Sequence, residues 1–286
     1  MKRISVAIIG IPFALVVIWA GGLYFAISIM LISTFALWEY YKLSESKSIT
    51  PNRLIGLLAG LILQVLIFMG GSTINQYLFI LLLIFLLSTL IFELFSRKPN
   101  PITNIAVTIT GTLYVSLMLS SLITIREFYR LFSFNENYNT YISVSNPEMT
   151  FAYFVFALFV TVWICDSAAY FLGKAYGKHK LFPSVSPKKS WEGAIAGFVA
   201  SMITFTFLIY FLIPEFPMIH SIIIGILIGI FGQIGDLAES LLKRDAGIKD
   251  SSTILPGHGG FLDRFDSIIF VAPILFIYLY VLFCLI

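Results

Sequence analysis

"LPGHGGFLDRFDSIIFVAPILFIYLYVLFCLI", residues 255–286, closes the chain. Its first part carries His258, Asp263, Arg264, Asp266 and the glycines 257, 259 and 260; from Ile268 to Ile286 there is no charged side chain. A membrane-spanning helix needs roughly 20 mostly apolar residues, and 268–286 meets that length. The stretch therefore reads as a span with two carboxylates, Asp263 and Asp266, at its mouth. A charge held at the edge of lipid is costly, so its presence calls for a reason.

The same ruler, moved along the chain, finds nine candidate spans near 4–20, 23–38, 53–70, 76–95, 102–125, 151–172, 191–213, 218–242 and 267–286. Composition agrees. The 286 residues are 59% hydrophobic and 12% charged, where soluble domains carry about a quarter charged residues. The expected fold is an all-α, polytopic integral membrane protein. Met1-Lys2-Arg3 before an apolar run has the start of a signal peptide, but no small-x-small site precedes a soluble domain, so a span is expected. Cys165 and Cys284 sit in apolar runs and suggest neither a disulfide nor a metal pair, and three histidines are too scattered for a His-built site. The net charge of +3 identifies no partner, and no nucleic acid is expected.

With nine alternating helices, all of the 18 Lys and Arg except Arg126 and Arg130 fall on one side. The positive-inside rule then puts the N-terminus and the basic loops in the cytoplasm and the C-terminus outside. Residues 1–150 comprise spans 1–5 and an external loop; residues 151–286 comprise spans 6–9 and their cytoplasmic loops, where the charged residues gather. In the first part Gln64 and Glu93 read as interhelical contacts or as residues near an interface, with no chemistry assigned. In the external loop Phe128, Tyr129, Phe132, Phe134 and Tyr138 suggest a segment resting on the headgroups.

Three stretches carry possible chemistry. In "WICDSAAYFLGKAYGKHK", Asp166 lies about six residues, or about 9 Å, inside the expected end of span 6; it reads as functional, or as the partner of a lysine. In "VSPKKSWEG" (185–193), Pro187 imposes an extended approach, Lys188 and Lys189 suit phosphate, and Ser190 can cap the helix starting at Trp191. Spacing alone allows this to be a basic anchor with an ordinary cap. In "GQIGDLAESLLKRDAGIKDSSTILPGHGGFLDRFDS" (232–267), Asp236, Glu239 and Ser240 share one helix face, as do Asp263 and Asp266. The connection 243–262 is a hairpin expected to bring Asp236 beside Asp263. Such carboxylates suit Mg2+, a hard ion that prefers oxygen. Lys243, Arg244, Lys249 and Arg264 supply positive charge, and Gly257, Gly259 and Gly260 allow backbone N–H groups close to an anion. His258 could donate to a phosphate, although taken alone it reads as a structural contact. Together the set points to phosphoryl-type chemistry on a nucleotide or pyrophosphate, without a Walker A motif.

The run Ser240-x-x-Lys243-Arg244-x4-Lys249-Asp250, followed by Pro256-x-His258-Gly259-Gly260-x2-Asp263-Arg264-x-Asp266, resembles the signature of the phosphatidate cytidylyltransferases (CDP-diacylglycerol synthases). "SPKKSWEG" and "DSAAYFLGKAYGK" resemble that family's two other hallmarks. The resemblance covers 166–267 and is uninformative before about residue 150. It implies transfer of the cytidylyl group of CTP to phosphatidate, giving CDP-diacylglycerol and pyrophosphate, by attack of the lipid phosphate on the α-phosphorus. It implies Mg2+, with K+ or Mg2+ as a second cation, and a homodimer. The short loops fit a bacterial inner membrane, and the basic loops put the site at its cytoplasmic face. On the resemblance, Asp236, Asp263, Lys243 and Arg264 are catalytic. Lys188, Lys189, Ser190, Arg244, Lys249, His258, Gly259 and Gly260 bind substrate. Asp236, Asp263, Asp266 and Asp166 are the metal candidates, with Asp166 either a ligand or the partner of a lysine. The CDP-alcohol phosphotransferase pattern is absent. A CTP-using lipid kinase would release CDP instead of pyrophosphate. A transporter is the rival from another class, on the strength of Asp166 and the glycine-rich "IIGILIGIFGQIG".

Overall fold

Lipid offers no hydrogen-bonding partner, so an apolar stretch in a membrane must close its backbone bonds on itself. The computed structural model describes residues 2–71, 74–132, 146–252 and 259–285, with side chains from residue 10 onward. Among these residues every expected apolar stretch carries a helix. They are α1 (Lys2–Ala20), α2 (Gly22–Glu45), α3 (Arg53–Met69), α4 (Ile74–Ser96) and α5 (Pro101–Gly111), which passes through a π-helical turn (Thr112–Leu117) into α6 (Met118–Arg126). After the short α7 (Phe128–Leu131) come α8 (Pro147–Tyr176), α9 (Trp191–Leu212), α10 (Met218–Asp245) and α11 (Leu262–Tyr280). Seven of the helical runs are long and apolar enough to cross a membrane, and Gly10–Ala20 and Arg53–Met69 are shorter apolar helices. The chain is a polytopic, all-α membrane protein. A small antiparallel hairpin, β1 (Lys180–Phe182) with β2 (Ser186–Ser190), interrupts the helices and pairs Lys180 with Ser190 and Phe182 with Ser186.

Several helices outrun their apolar windows. Hydropathy ends the second span near residue 38, yet α2 continues through Trp38–Glu45, because Glu, Leu and Lys sustain a helix as well as apolar residues do. Asn52, Asn146 and Ser190 cap α3, α8 and α9 by accepting from Ile55 N, Met149 N and Gly193 N, each at 3.2 Å.

The chain forms two compact units interleaved in sequence. The first comprises Met1–Val17, Gly22–Thr124 and Leu242–Phe265; the second comprises Ile18–Gly21, Ile125–Leu241 and Asp266–Ile286.

In the first unit, polar side chains serve the backbone around the π-helical turn. Tyr41 Oη donates to Thr108 O at 2.8 Å, and Gln64 Nε2 donates to Ser116 O at 3.0 Å. Glu93 Oε1 accepts from Asn104 Nδ2 at 2.6 Å. Gln64 and Glu93 are therefore interhelical contacts, as the sequence suggests.

In the second unit, small residues bring backbones together. A Cβ added to Gly193 would stand 2.7 Å from Ala169 O and 2.9 Å from Gly173 Cα; one on Gly197 would stand 2.9 Å from Cys165 O. Lipid tails are as apolar as leucine, so close van der Waals contact between such helices drives their association. The glycines of α10 serve the same purpose. Gly225 faces Met202 Cα, and Gly235 faces Asp266 O on α11. They are packing positions, which removes one of the two features that favoured a transporter.

Arg126 is counted by the sequence as an outside charge, but its side chain is buried in the second unit. It donates from Nε to Ile18 O at 2.9 Å and from Nη2 to Trp19 O at 3.4 Å, closing the last carbonyls of α1. Gly21 (φ +59°) turns the chain directly beneath the guanidinium, where a Cβ would collide with it. The headgroup reading of the external loop also needs correction. Phe128 is fully buried, with Phe132 and Phe151 against it at ring distances of 4.8 and 4.9 Å, and Phe132 meets Tyr280 at 5.3 Å. Aromatic area buried against α8 and α11 outweighs a place among headgroups. Phe134 and Tyr138 lie outside the described residues.

Gly193→Val should overpack the α8–α9 contact and cost about 1–3 kcal/mol. A thermal melt in detergent checks this, with a lowered midpoint as the expected outcome.

Candidate active site

In the first unit, candidate residues gather around Asp263, in the first turn of α11. Oδ1 accepts from Lys243 Nζ at 2.7 Å. Oδ2 accepts from Ser251 N at 2.9 Å, Ser251 Oγ at 2.8 Å and Gly260 N at 2.7 Å. Gly259 has φ +82°, and a Cβ there would stand 2.5 Å from Asp263 Oδ2. Both the backbone angle and the space require glycine. The anion that these glycines wrap here is the carboxylate of Asp263 itself.

A second carboxylate stands behind it. Glu39, on α2, is wholly buried. It accepts from Ser252 Oγ at 2.5 Å, Leu262 N at 2.8 Å and Ser251 Oγ at 3.1 Å. Leu262 is the first residue of α11, so Glu39 places a negative charge on that helix's positive end. Sequence reading missed it because the hydropathy window stops one residue short. The available signal was a lone acid in "LWEYYK", since an ionisable residue at such a position is costly without a role.

The second unit holds Asp236 on α10. Its Oδ2 lies 2.5 Å from Lys189 Nζ, and its Oδ1 is 3.4 Å from Ser240 Oγ. Lys189 is carried by β2, one residue before the cap Ser190. The hairpin forms where Pro183 and Pro187 hold the chain extended. Trp191 N donates to His179 O at 2.9 Å, and Glu192 Oε1 lies 2.6 Å from His179 Nδ1. Those bonds fix the hairpin on the start of α9. Glu239, one turn along α10 from Asp236, is wholly buried.

The other expected residues are placed as follows. Lys188, Arg244, Lys249 and Arg264 are exposed, and Arg244 Nη1 donates to Ile248 O at 3.2 Å. Asp166 is exposed on α8, ten residues before the helix ends at Tyr176. The helix itself runs past the apolar window, which ends near residue 172. Asp266 is half-buried, and its Oδ1 accepts from Ser267 N at 2.6 Å. His258, Gly257 and Pro256 lie outside the described residues.

The two ion pairs differ in strength. The side chains of Lys243 and Asp263 are 11% and 6% exposed; those of Lys189 and Asp236 are 27% and 32% exposed. The first pair is nearly desolvated and fully hydrogen-bonded, so removing one partner strands a charge. The second can exchange partners with solutes. Among the described residues no group of three His, Cys, Asp or Glu side chains could hold a metal ion. Asp236 and Asp263 carry oxygen donors of the kind a hard divalent ion prefers, and each is paired with a lysine.

Comparison with known proteins gives a consistent picture. Residues 1–282 match the model of the cytidylyltransferase family. The chain is 35% identical over 249 residues to the phosphatidate cytidylyltransferase of Staphylococcus haemolyticus (strain JCSC1435), covering 78% of this chain and 95% of that one. It is 43% identical over 141 residues to the phosphatidate cytidylyltransferase of Bacillus subtilis (strain 168), covering 49% of this chain and 52% of that one. With the Staphylococcus aureus (strain COL) protein of the same name it shares 48% over 125 residues, covering 43% of this chain and 47% of that one. The matched region thus spans about half the length of these last two relatives.

Lys243→Met should cost about 3–5 kcal/mol by leaving Asp263 buried without its counter-charge. Lys189→Met, at the more exposed pair, should cost about 0–1 kcal/mol. Denaturation of both variants in detergent tests this ordering.

Proposed function

Because this chain belongs to the cytidylyltransferase family, we propose that it transfers the cytidylyl group of CTP to phosphatidate, giving CDP-diacylglycerol and pyrophosphate. The observation that supports this reading is that Asp236 and the motif acid Asp263 each hold a lysine of the motifs. Asp263 holds Lys243 at 2.7 Å, and Asp236 holds Lys189 at 2.5 Å. Ammonium groups fixed in this way are prepared for phosphate.

The lipid phosphate is a monoester with a second pKa of about 6, so it is largely dianionic at neutral pH. It needs no strong general base. One of its oxygens forms a bond to the α-phosphorus of CTP, the bond from that phosphorus to the bridging oxygen of the β-phosphate breaks, and pyrophosphate leaves with the electron pair. The obstacle is bringing one anion against another. Lys189 and Lys188, with the N-terminus of α9 behind the Ser190 cap, receive phosphate oxygens. Lys243, Arg244, Lys249 and Arg264 neutralise the leaving pyrophosphate. His258, Gly259 and Gly260 belong to the same binding loop. Asp236 and Asp263, with Asp266 and Asp166 as further candidates, would hold Mg2+ and a second cation, K+ or Mg2+. Such an ion, when bound, neutralises phosphate charge and orients the displacement.

Phosphatidate stays in the bilayer while CTP arrives from water, which is why a site at the membrane boundary suits this pair. The proposal includes nine crossings, a cytoplasmic N-terminus, an external C-terminus, a bacterial inner membrane with the site at its cytoplasmic face, and a homodimer.

Purified protein in detergent should release pyrophosphate only when CTP, phosphatidate and Mg2+ are all present. Chelation should stop the release and added Mg2+ restore it. Asp263→Asn should lower kcat by about 100-fold or more, the scale for losing a group that acts on charge in the transition state. Near-normal turnover by folded Asp263→Asn protein overturns the assignment of that residue.

A further inference from the structure

We propose that Glu39, on α2, is a positioning residue for the transfer, holding Asp263 and Lys243 in place through Ser251 and the start of α11. The inference rests on the activity proposed above. Its basis is a chain of contacts within the first unit. Glu39 Oε2 stands 3.1 Å from Ser251 Oγ, and Ser251 Oγ stands 2.8 Å from Asp263 Oδ2. A hydroxyl has one proton, so this serine donates to one of the two carboxylates at a time. Ser251 N donates to Asp263 Oδ2 at 2.9 Å in either case. The position of Ser251 therefore sets the position of the Asp263 carboxylate, and Glu39 sets the position of Ser251.

Two further bonds tie the same carboxylate to both ends of the loop. Ser252 Oγ donates to Glu39 Oε1 at 2.5 Å before the loop, and Leu262 N donates to Glu39 Oε2 at 2.8 Å after it. Gly260 completes the clamp, since a Cβ there would collide with Ser251 Oγ and the Glu39 carboxylate. Glu39, Ser251 and Leu262 are buried, so water does not compete for these bonds. A carboxylate that only filled a helix interior would not need to hold two serines and a helix terminus around one acid of the site. Glu93, also buried in the first unit, shows the contrast, since it bonds Asn104.

The test uses Glu39→Gln, which keeps the shape, removes the charge and leaves one acceptor oxygen. In full-length protein in detergent, kcat should fall about 10–100-fold, the usual scale for a residue that orients another. KM for CTP should change less than kcat, because Lys188 and Lys189 are untouched. Labelling of Lys243 by an amine-reactive reagent, read by mass spectrometry, should quicken as its pairing with Asp263 loosens. Ser251→Ala should give the same changes, and the double variant should be no worse than the more impaired single one. Glu93→Gln should keep unaltered kcat and labelling. Folded Glu39→Gln with normal kcat and normal Lys243 labelling overturns the proposal. If Glu39→Gln does not fold, Ser251→Ala decides, and normal kcat in that variant overturns it. Failure of the unaltered protein to release pyrophosphate sinks the activity itself, whereas the labelling of Lys243 reads the hold of Glu39 independently.

Discussion

Four donors meet on the carboxylate of Asp263, in the first turn of the last long helix: Lys243 Nζ, Ser251 N, Ser251 Oγ and Gly260 N. A charge this buried is tolerated only when its lone pairs are filled and its sign is balanced. Local features follow from that demand. Position 259 must be glycine, because its positive φ and the nearby carboxylate both exclude a side chain. Lys243 turns inward at the end of α10. The serine at 251 is fixed by both its backbone and its hydroxyl. The donors around Asp263 thus form the solvation shell of one acid, built from protein instead of water.

Lipid imposes the other constraint. It favours polar side chains that serve the helix backbone and rewards close contact between small residues. The same physics gives the π-helical turn its Tyr41 and Gln64 partners, sets Gly193 against Gly173, and draws Arg126 inward to finish α1. A guanidinium that counts as an outside charge in the sequence is, in the fold, a helix cap.

Much of the architecture was legible because long apolar runs have one solution in a bilayer. The spans, the cap at Ser190 and the interhelical roles of Gln64 and Glu93 could be read from residue type and spacing. The helix ends could not, since hydropathy measures preference for lipid and not helical continuity. That is why α2 runs beyond residue 38 and α8 beyond 172, and why Glu39 stayed out of view. The hairpin at 180–190 was legible only as an extended approach to a helix.

By itself, the sequence determined an all-helical membrane chain of the cytidylyltransferase family, because apolar length and motif spacing are local properties that survive without coordinates. The tertiary structure decided which lysine serves which acid: Lys189 for Asp236 and Lys243 for Asp263. It also decided that Glu39, more than two hundred residues away in sequence, stands behind Ser251. Such pairings depend on how helices pack and where a loop returns, and an ion pair needs contact within a few ångströms. No spacing rule along the chain carries that information.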